Sequence, residues 1–162
     1  DILIMAGLAG TTTEAREVLA ARLDDGAALD RFRRMVAAMG GTAEGAAEEL
    51  WPLATVALPV PSPAEGHVAR IDAFAVGMAM VELGAGRRLP TDDIDNSVGL
   101  TGMVHVGDHV AAGEPLCTIH AHTHKAAQAA ANAVAAAITL SDHPTEPLPL
   151  ITGRLTTNGA LS

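Results

Sequence analysis

The sequence predicts an α+β chain, a helical segment over residues 1–55 followed by a mixed domain over residues 60–162. Three observations lead there. Apolar residues recur at intervals of three and four through residues 11–39. Prolines then stand at every second position, at Pro59, Pro61 and Pro63. Beyond them, short β-rich runs and glycine turns are interrupted by two helical stretches.

The first helix is predicted in "TTTEAREVLAARLDDG". Thr11 or a neighbouring threonine can cap it, and Glu14 lies three positions on, in the relation of a capping box. Ala15, Val18, Leu19 and Leu23 share a face before Asp24, Asp25 and Gly26 end it. In "AALDRFRRMVAAMGG", Leu29, Phe32, Val36 and Met39 repeat the pattern, with Gly40-Gly41 as the stop. A short third helix is expected over 43–50. The run "VALPVPSPAEG" excludes helix, fixes an extended path and is read as the joint between the two parts. After it, strands are expected in "GHVARI", "GMVHV", "PLCTIHA" and "LPLITGRL". The intervening helices are "AFAVGMAMVELG", with Phe74, Met78 and Val81 on one face, and a second from Lys125 to Ile138.

Composition narrows the chemistry. Of 162 residues, 49% are hydrophobic and 18% charged, enough for a core and against global disorder. The aromatic residues are Phe32, Trp51 and Phe74, too few for a base-stacking platform. A formal charge of −9, with Lys125 the only lysine, gives nucleic acid no cationic footprint. Cys117 is the single cysteine, so no disulfide framework exists and a cytoplasmic location is expected. No run of 18 apolar residues occurs, and the alanine-rich segment carries Lys125, Gln128 and Asn132, so no membrane partner is expected. No signal peptide is visible. The opening "DILIMAGLAG" lacks methionine and is apolar, which suggests a piece of a longer protein.

Several stretches invite a chemical role. "VHVGDHVAAGEPL" places a tight turn at Gly107-Asp108 and another at Gly113-Glu114. This is the hammerhead-like strand grammar of biotinyl and lipoyl domains. Those carriers need a lysine at a hairpin tip, and Lys125 sits at a predicted helix start instead. Asp92, Asp93 and Asp95 in "LPTDDIDNSVG" lack the oxygen series of an EF-hand loop and are expected to cap turns or pair with Arg87 and Arg88. "LGAGRR" lacks the Lys-Ser or Lys-Thr of a phosphate loop and reads as a helix C-cap followed by arginines.

The histidines of "HAHTH" are the sharpest candidate. On a continuing strand, His120, His122 and His124 would share a face, opposite Cys117, and could hold zinc. The strand is expected to stop near Ala121, with Thr123 capping the next helix, and no acidic neighbour is apparent to orient a ligating imidazole. His120 is therefore read as structural and His122 and His124 as peripheral. His67, His105 and His109 carry no catalytic reading. Cys117 has no placed base, and no serine has a nucleophile elbow.

Five blocks in order carry a resemblance: "FRRMVAAMGG" at 32–41, "AEGHVARIDAFAVGMAMVELGAGRR" at 64–88, "DDIDNSVGL" at 92–100, "GDHVAAGEPLCTIHA" at 107–121 and "AVAAAITLSDHP" at 133–144. Together they resemble the C-terminal part of the thymidine phosphorylase and pyrimidine-nucleoside phosphorylase family. The resemblance implies that residues 1–55 end a large catalytic lobe and that residues 60–162 are its C-terminal α+β domain. It implies a homodimeric parent that splits a pyrimidine nucleoside with inorganic phosphate as co-substrate. The family's phosphate loop and base-binding residues match no position here. The resemblance thus implies no catalytic, substrate-binding, phosphate-binding or metal residue in this chain, no cofactor, and no turnover by the chain alone. A non-catalytic interaction or scaffold domain is the alternative from another class.

Overall fold

The computed structural model describes residues 1–42, 54–147, 149–151 and 153. The chain divides into two compact units, Asp1–Trp51 and Pro52–Ser162. The helix expected over 43–50 lies outside the described residues, as does most of "LPLITGRL"; its described part, Pro149–Ile151, is not a strand.

The first unit holds helices α1 (Ile2–Met5), α2 (Thr12–Asp24) and α3 (Ala27–Ala38). Thr11 caps α2 by accepting the Glu14 N–H at 3.2 Å, and the Glu14 carboxylate reaches back to the Gly10 N–H at 2.8 Å. That is the expected box displaced by one residue, since the reciprocal bond goes to the residue before the cap. Among the described residues of this unit only Ala15 is buried. Leu29, Phe32, Met35 and Met39 of the α3 region all remain exposed.

The second unit contains β1 (Val56–Pro61), β2 (Gly66–Ile71), α4 (Ala73–Leu83), β3 (Gly99–Thr101), β4 (His109–Val110), β5 (Pro115–Ala121), α5 (His124–Ala136) and β6 (Ile138–Ser141). It is the α+β arrangement the sequence implies. Two antiparallel three-stranded sheets run in the orders β1-β5-β3 and β4-β2-β6. Within the second sheet, β2 is bonded as well to the turn that leads into β4, from Val68 N to Asp108 O and from Gly107 N to Val68 O.

Three elements differ from the sequence reading. The proline-rich run is itself strand β1, not merely an extended joint. It lies at a sheet edge and pairs only with β5, where a residue lacking an N–H can be tolerated. Pro59 and Pro61 occupy its exposed positions, while Val60 points into the core. "GMVHV" is not a strand. Gly102, at φ +63°, ends β3, and the Asp108 carboxylate accepts the His105 N–H at 2.7 Å to close a turn. The last helix stops at Ala136, two residues before its expected end, because Ile138–Ser141 instead pair along β2. A run of alanines there gives way to β-branched Ile138 and Thr139, which favour the pleated surface.

The core joins Val60, Val68, Val110, Leu116, Cys117 and Ile119 with the inward face of α5, namely Ala127, Ala130, Ala131 and Val134. Helix α4 contributes Ala79. Asp72 caps α4 through the Ala75 N–H at 3.0 Å, and Gly84 at φ +107° ends it. Thr123 caps α5 through the Ala126 N–H at 3.2 Å, as the sequence suggests.

Two substitutions should separate core from cap. Ile119→Ala removes a fully buried side chain and is expected to cost about 2–5 kcal/mol. Thr123→Ala removes one cap bond and should cost about 1 kcal/mol. Urea unfolding followed by far-UV circular dichroism measures both, and equal losses would contradict this division.

Candidate functional site

The densest polar cluster among the described residues lies where β5 passes into α5. Strand β5 leaves Thr118 and His120 half-buried on one face and buries Cys117, Ile119 and Ala121 on the other. His120 Nε2 lies 2.8 Å from Thr101 Oγ1 on the neighbouring β3. The chain leaves the strand at Ala121, and His122 turns to a different partner. Its Nε2 lies 2.6 Å from Asp95 Oδ2 and 3.1 Å from Ser97 Oγ. The Thr55 hydroxyl donates to the His122 carbonyl at 3.1 Å.

Asp95 and Ser97 form their half of the cluster locally. Asp95 Oδ1 accepts the Ser97 N–H at 2.9 Å and the Ser97 hydroxyl at 2.5 Å, as an aspartate two residues before a turn donor commonly does. The Asp95 N–H donates to Gly84 O at 3.0 Å, at the C-cap of α4. These donors hold the Asp95 carboxyl below the ordinary aspartate range, the Ser97 hydroxyl foremost, then the Ser97 N–H, then His122.

Serine, histidine and aspartate within bonding distance suggest a nucleophilic triad, but the wiring differs. A triad places the acid on one imidazole nitrogen and the nucleophile on the other. Here Asp95 and Ser97 both address Nε2, and the Ser97 hydroxyl also donates to Asp95. Such an arrangement cannot pass a proton from serine through the ring. What it can do is pin the 84–98 connection to the start of α5.

The structure also revises the reading of the three histidines. An acidic partner does stand beside His122, supplied by Asp95 from 27 positions upstream in the chain. The three imidazoles nevertheless do not converge. His120 is engaged by Thr101, His122 by Asp95, and His124 is the first residue of α5. Among the described residues no group of three His, Cys, Asp or Glu side chains is placed to hold a metal ion.

The remaining candidates lie apart from this cluster. The Asp92 carboxylate accepts the N–H groups of Arg88 and Leu89, a turn cap as expected. The Arg88 side chain pairs with Glu82 of α4 and not with the aspartates. Lys125 lies exposed in the first turn of α5, away from any hairpin tip. Burial pushes the Cys117 thiol up, which disfavours the reactive thiolate. His67 and His109 face each other across β2 and β4 with ring centroids 4.9 Å apart, and His67 Nδ1 has no hydrogen-bond partner among the described residues. No helix among the described residues is long and apolar enough to cross a membrane.

Sequence reasoning missed the bond between Asp95 and His122. A turn-capping role for Asp95 was legible, but nothing in the spacing signals that a loop folds back onto a strand end. Because the Asp95 carboxyl is more acidic in the folded chain, its contribution to stability is present above its unfolded value near 3.8 and lost as pH falls through the lower folded value. Ser97→Ala should raise the Asp95 pKa more than His122→Ala does. A carboxyl-detected NMR titration measures this, and the reverse order would refute the assignment of Ser97 as the principal partner.

Comparison with known proteins places this geometry in context. Residues 67–141 match the family described as the pyrimidine nucleoside phosphorylase C-terminal domain. The chain is 44% identical over 144 residues to a thymidine phosphorylase of Burkholderia orbicola, covering 88% of this chain and 33% of that protein. A thymidine phosphorylase of Burkholderia cenocepacia gives the same identity and coverage. A second from that species is 45% identical over 136 residues, 83% of this chain and 31% of the relative. The chain thus spans about a third of the length of the curated relatives it matches.

Proposed function

We propose that the chain, whose residues 67–141 match the pyrimidine nucleoside phosphorylase C-terminal domain, serves as the C-terminal portion of a thymidine phosphorylase. The single observation that carries this reading is the extent of the likeness, 44% identity across 88% of the chain to proteins of that name. The reaction would be reversible phosphorolysis of thymidine, giving thymine and 2-deoxyribose 1-phosphate. The working enzyme would be a cytoplasmic homodimer with nucleoside and inorganic phosphate as its substrates and no cofactor.

Physically, that reaction needs phosphate held beside C1′ of the sugar and donors aimed at the base oxygens. Those donors strengthen their bonds as negative charge develops on the departing pyrimidine. Closure of a second lobe excludes water, which would otherwise compete with phosphate. The polar cluster of this chain suits neither task. Asp95 is an anion, unsuited to holding phosphate, and His122 is already committed to it. We therefore assign the bond-breaking residues to the polypeptide beyond this stretch. Asp95, Ser97 and His122 act here as positioning residues that set the course of the 84–98 connection.

The test is an assay of thymine release from thymidine and phosphate, read by the ultraviolet change between nucleoside and base. A polypeptide that joins this chain to the rest of a phosphorylase should release thymine. The 162-residue chain alone should release none. Turnover by the chain alone would overturn the assignment of residues, and no phosphate-dependent release by the joined polypeptide would overturn the activity.

A further inference from the structure

We infer that the outer face of α4, formed by Phe74, Gly77, Met78 and Val81, is a docking surface for the part of the phosphorylase polypeptide that the relatives carry beyond the matched stretch. This rests on the thymidine phosphorylase reading above. The four residues fall at i, i+3, i+4 and i+7, one stripe of the helix. Phe74 is 80% exposed and Met78 40% exposed, while Val81 is half-buried at the end of the stripe. A side chain added at Gly77 would meet nothing within 4 Å, which leaves a notch between the two larger residues.

The adjacent helix shows that the stripe is not how this domain faces water. Helix α5 also buries one face, and its outer positions include Lys125, Gln128 and Asn132, the last two hydrogen-bonded to each other at 3.0 Å. Helix α4 has no polar side chain before Glu82. An apolar helix face of this kind belongs in a covered position. Its two ends carry exposed ion pairs, Arg70 with Asp72 and Arg88 with Glu82. An apolar centre with charged margins is the anatomy of an interface.

Size decides the occupant. Helix α4 has 11 residues, so its face is a strip of about 16 Å by 10 Å. A stable contact between separate molecules buries about 800 Å² on each partner, far more than this strip provides. A second copy of the chain would gain too little here to offset the translational freedom lost on association. A segment of the same polypeptide escapes most of that cost, because its local concentration is fixed by the connection. The relatives are three times the length of the matched stretch, so two thirds of such a polypeptide is available to cover α4.

The test uses thiol labelling. Met78→Cys is made in the 162-residue chain and in Burkholderia orbicola thymidine phosphorylase whose matched 144 residues are replaced by those of this chain. Gln128→Cys on the polar face of α5 serves as control in both. Site-resolved mass spectrometry should show Met78→Cys labelling at least tenfold slower in the swapped protein than in the chain alone, with Gln128→Cys fast in both. Equal Met78→Cys rates would overturn the proposal. So would slow, concentration-dependent labelling in the chain alone, which would mean a second copy covers the face. A swapped protein that fails to fold, seen as rapid labelling of the buried Cys117, also counts against docking. Thymine release is assayed on the swapped protein without the cysteine variants. Protection with no thymine release keeps the docking surface and rejects the activity. Thymine release with no protection does the reverse.

Discussion

The architecture of the second unit depends on how closely α5 can lie against β5. The helix presents Ala127, Ala130, Ala131 and Val134 to the sheets, and three of those four side chains are a single methyl. Small side chains let the helix backbone settle near the strands, so that Ile119 and Ala121 of β5 become fully buried. Strand β5 is the centre of its sheet, paired to β1 on one side and β3 on the other. Removing the fit between α5 and β5 would therefore release both edge strands together. Among the described residues the core holds no aromatic side chain, and close approach of backbones takes the place of that bulk.

That packing explains what could and could not be read from the residues. The caps at Thr11 and Thr123, the stop at Gly84 and the turns at Gly107 and Gly113 are local, and each was visible as a residue type at a position. Strands β3 and β4 were misplaced into "GMVHV" because they are short and hold their places by long-range pairing. An apolar run of two or three residues carries almost no periodicity. Strand β6 was absorbed into the preceding helix for a related reason. Alanine continues a helix as readily as it ends one, and only pairing with β2 decides that Ile138 onward is extended.

The polar cluster follows the same division. Its near-neighbour half, Asp95 with Ser97, is a turn cap of the kind expected of Asp95. Its distant half, Asp95 with His122, exists because β3 pairs with β5 and brings the preceding loop beside the strand end. The sequence allowed three histidines to be imagined on one strand face. The fold instead gives each a different neighbour, and strand termination at Ala121 is the physical cause. Charge alone could not have separated these outcomes.

The 84–98 connection links these observations into one mechanical unit. At its beginning it is tied to α4 by the Arg88 pair with Glu82 and by the Asp95 N–H on Gly84 O. At its end it is tied to the start of α5 through Asp95 and His122. The two helices also pack directly, with Ala79 of α4 in the core shared with α5. Helix α4 is thus held from behind by α5 and at its C-terminus by the connection, while its N-terminus is fixed by the Asp72 cap. A helix held in this way presents its outer face with little freedom to rearrange. Rigidity lowers the ordering cost of whatever packs against that face. The carboxylate of Asp95 adds to that hold by joining elements far apart in the chain.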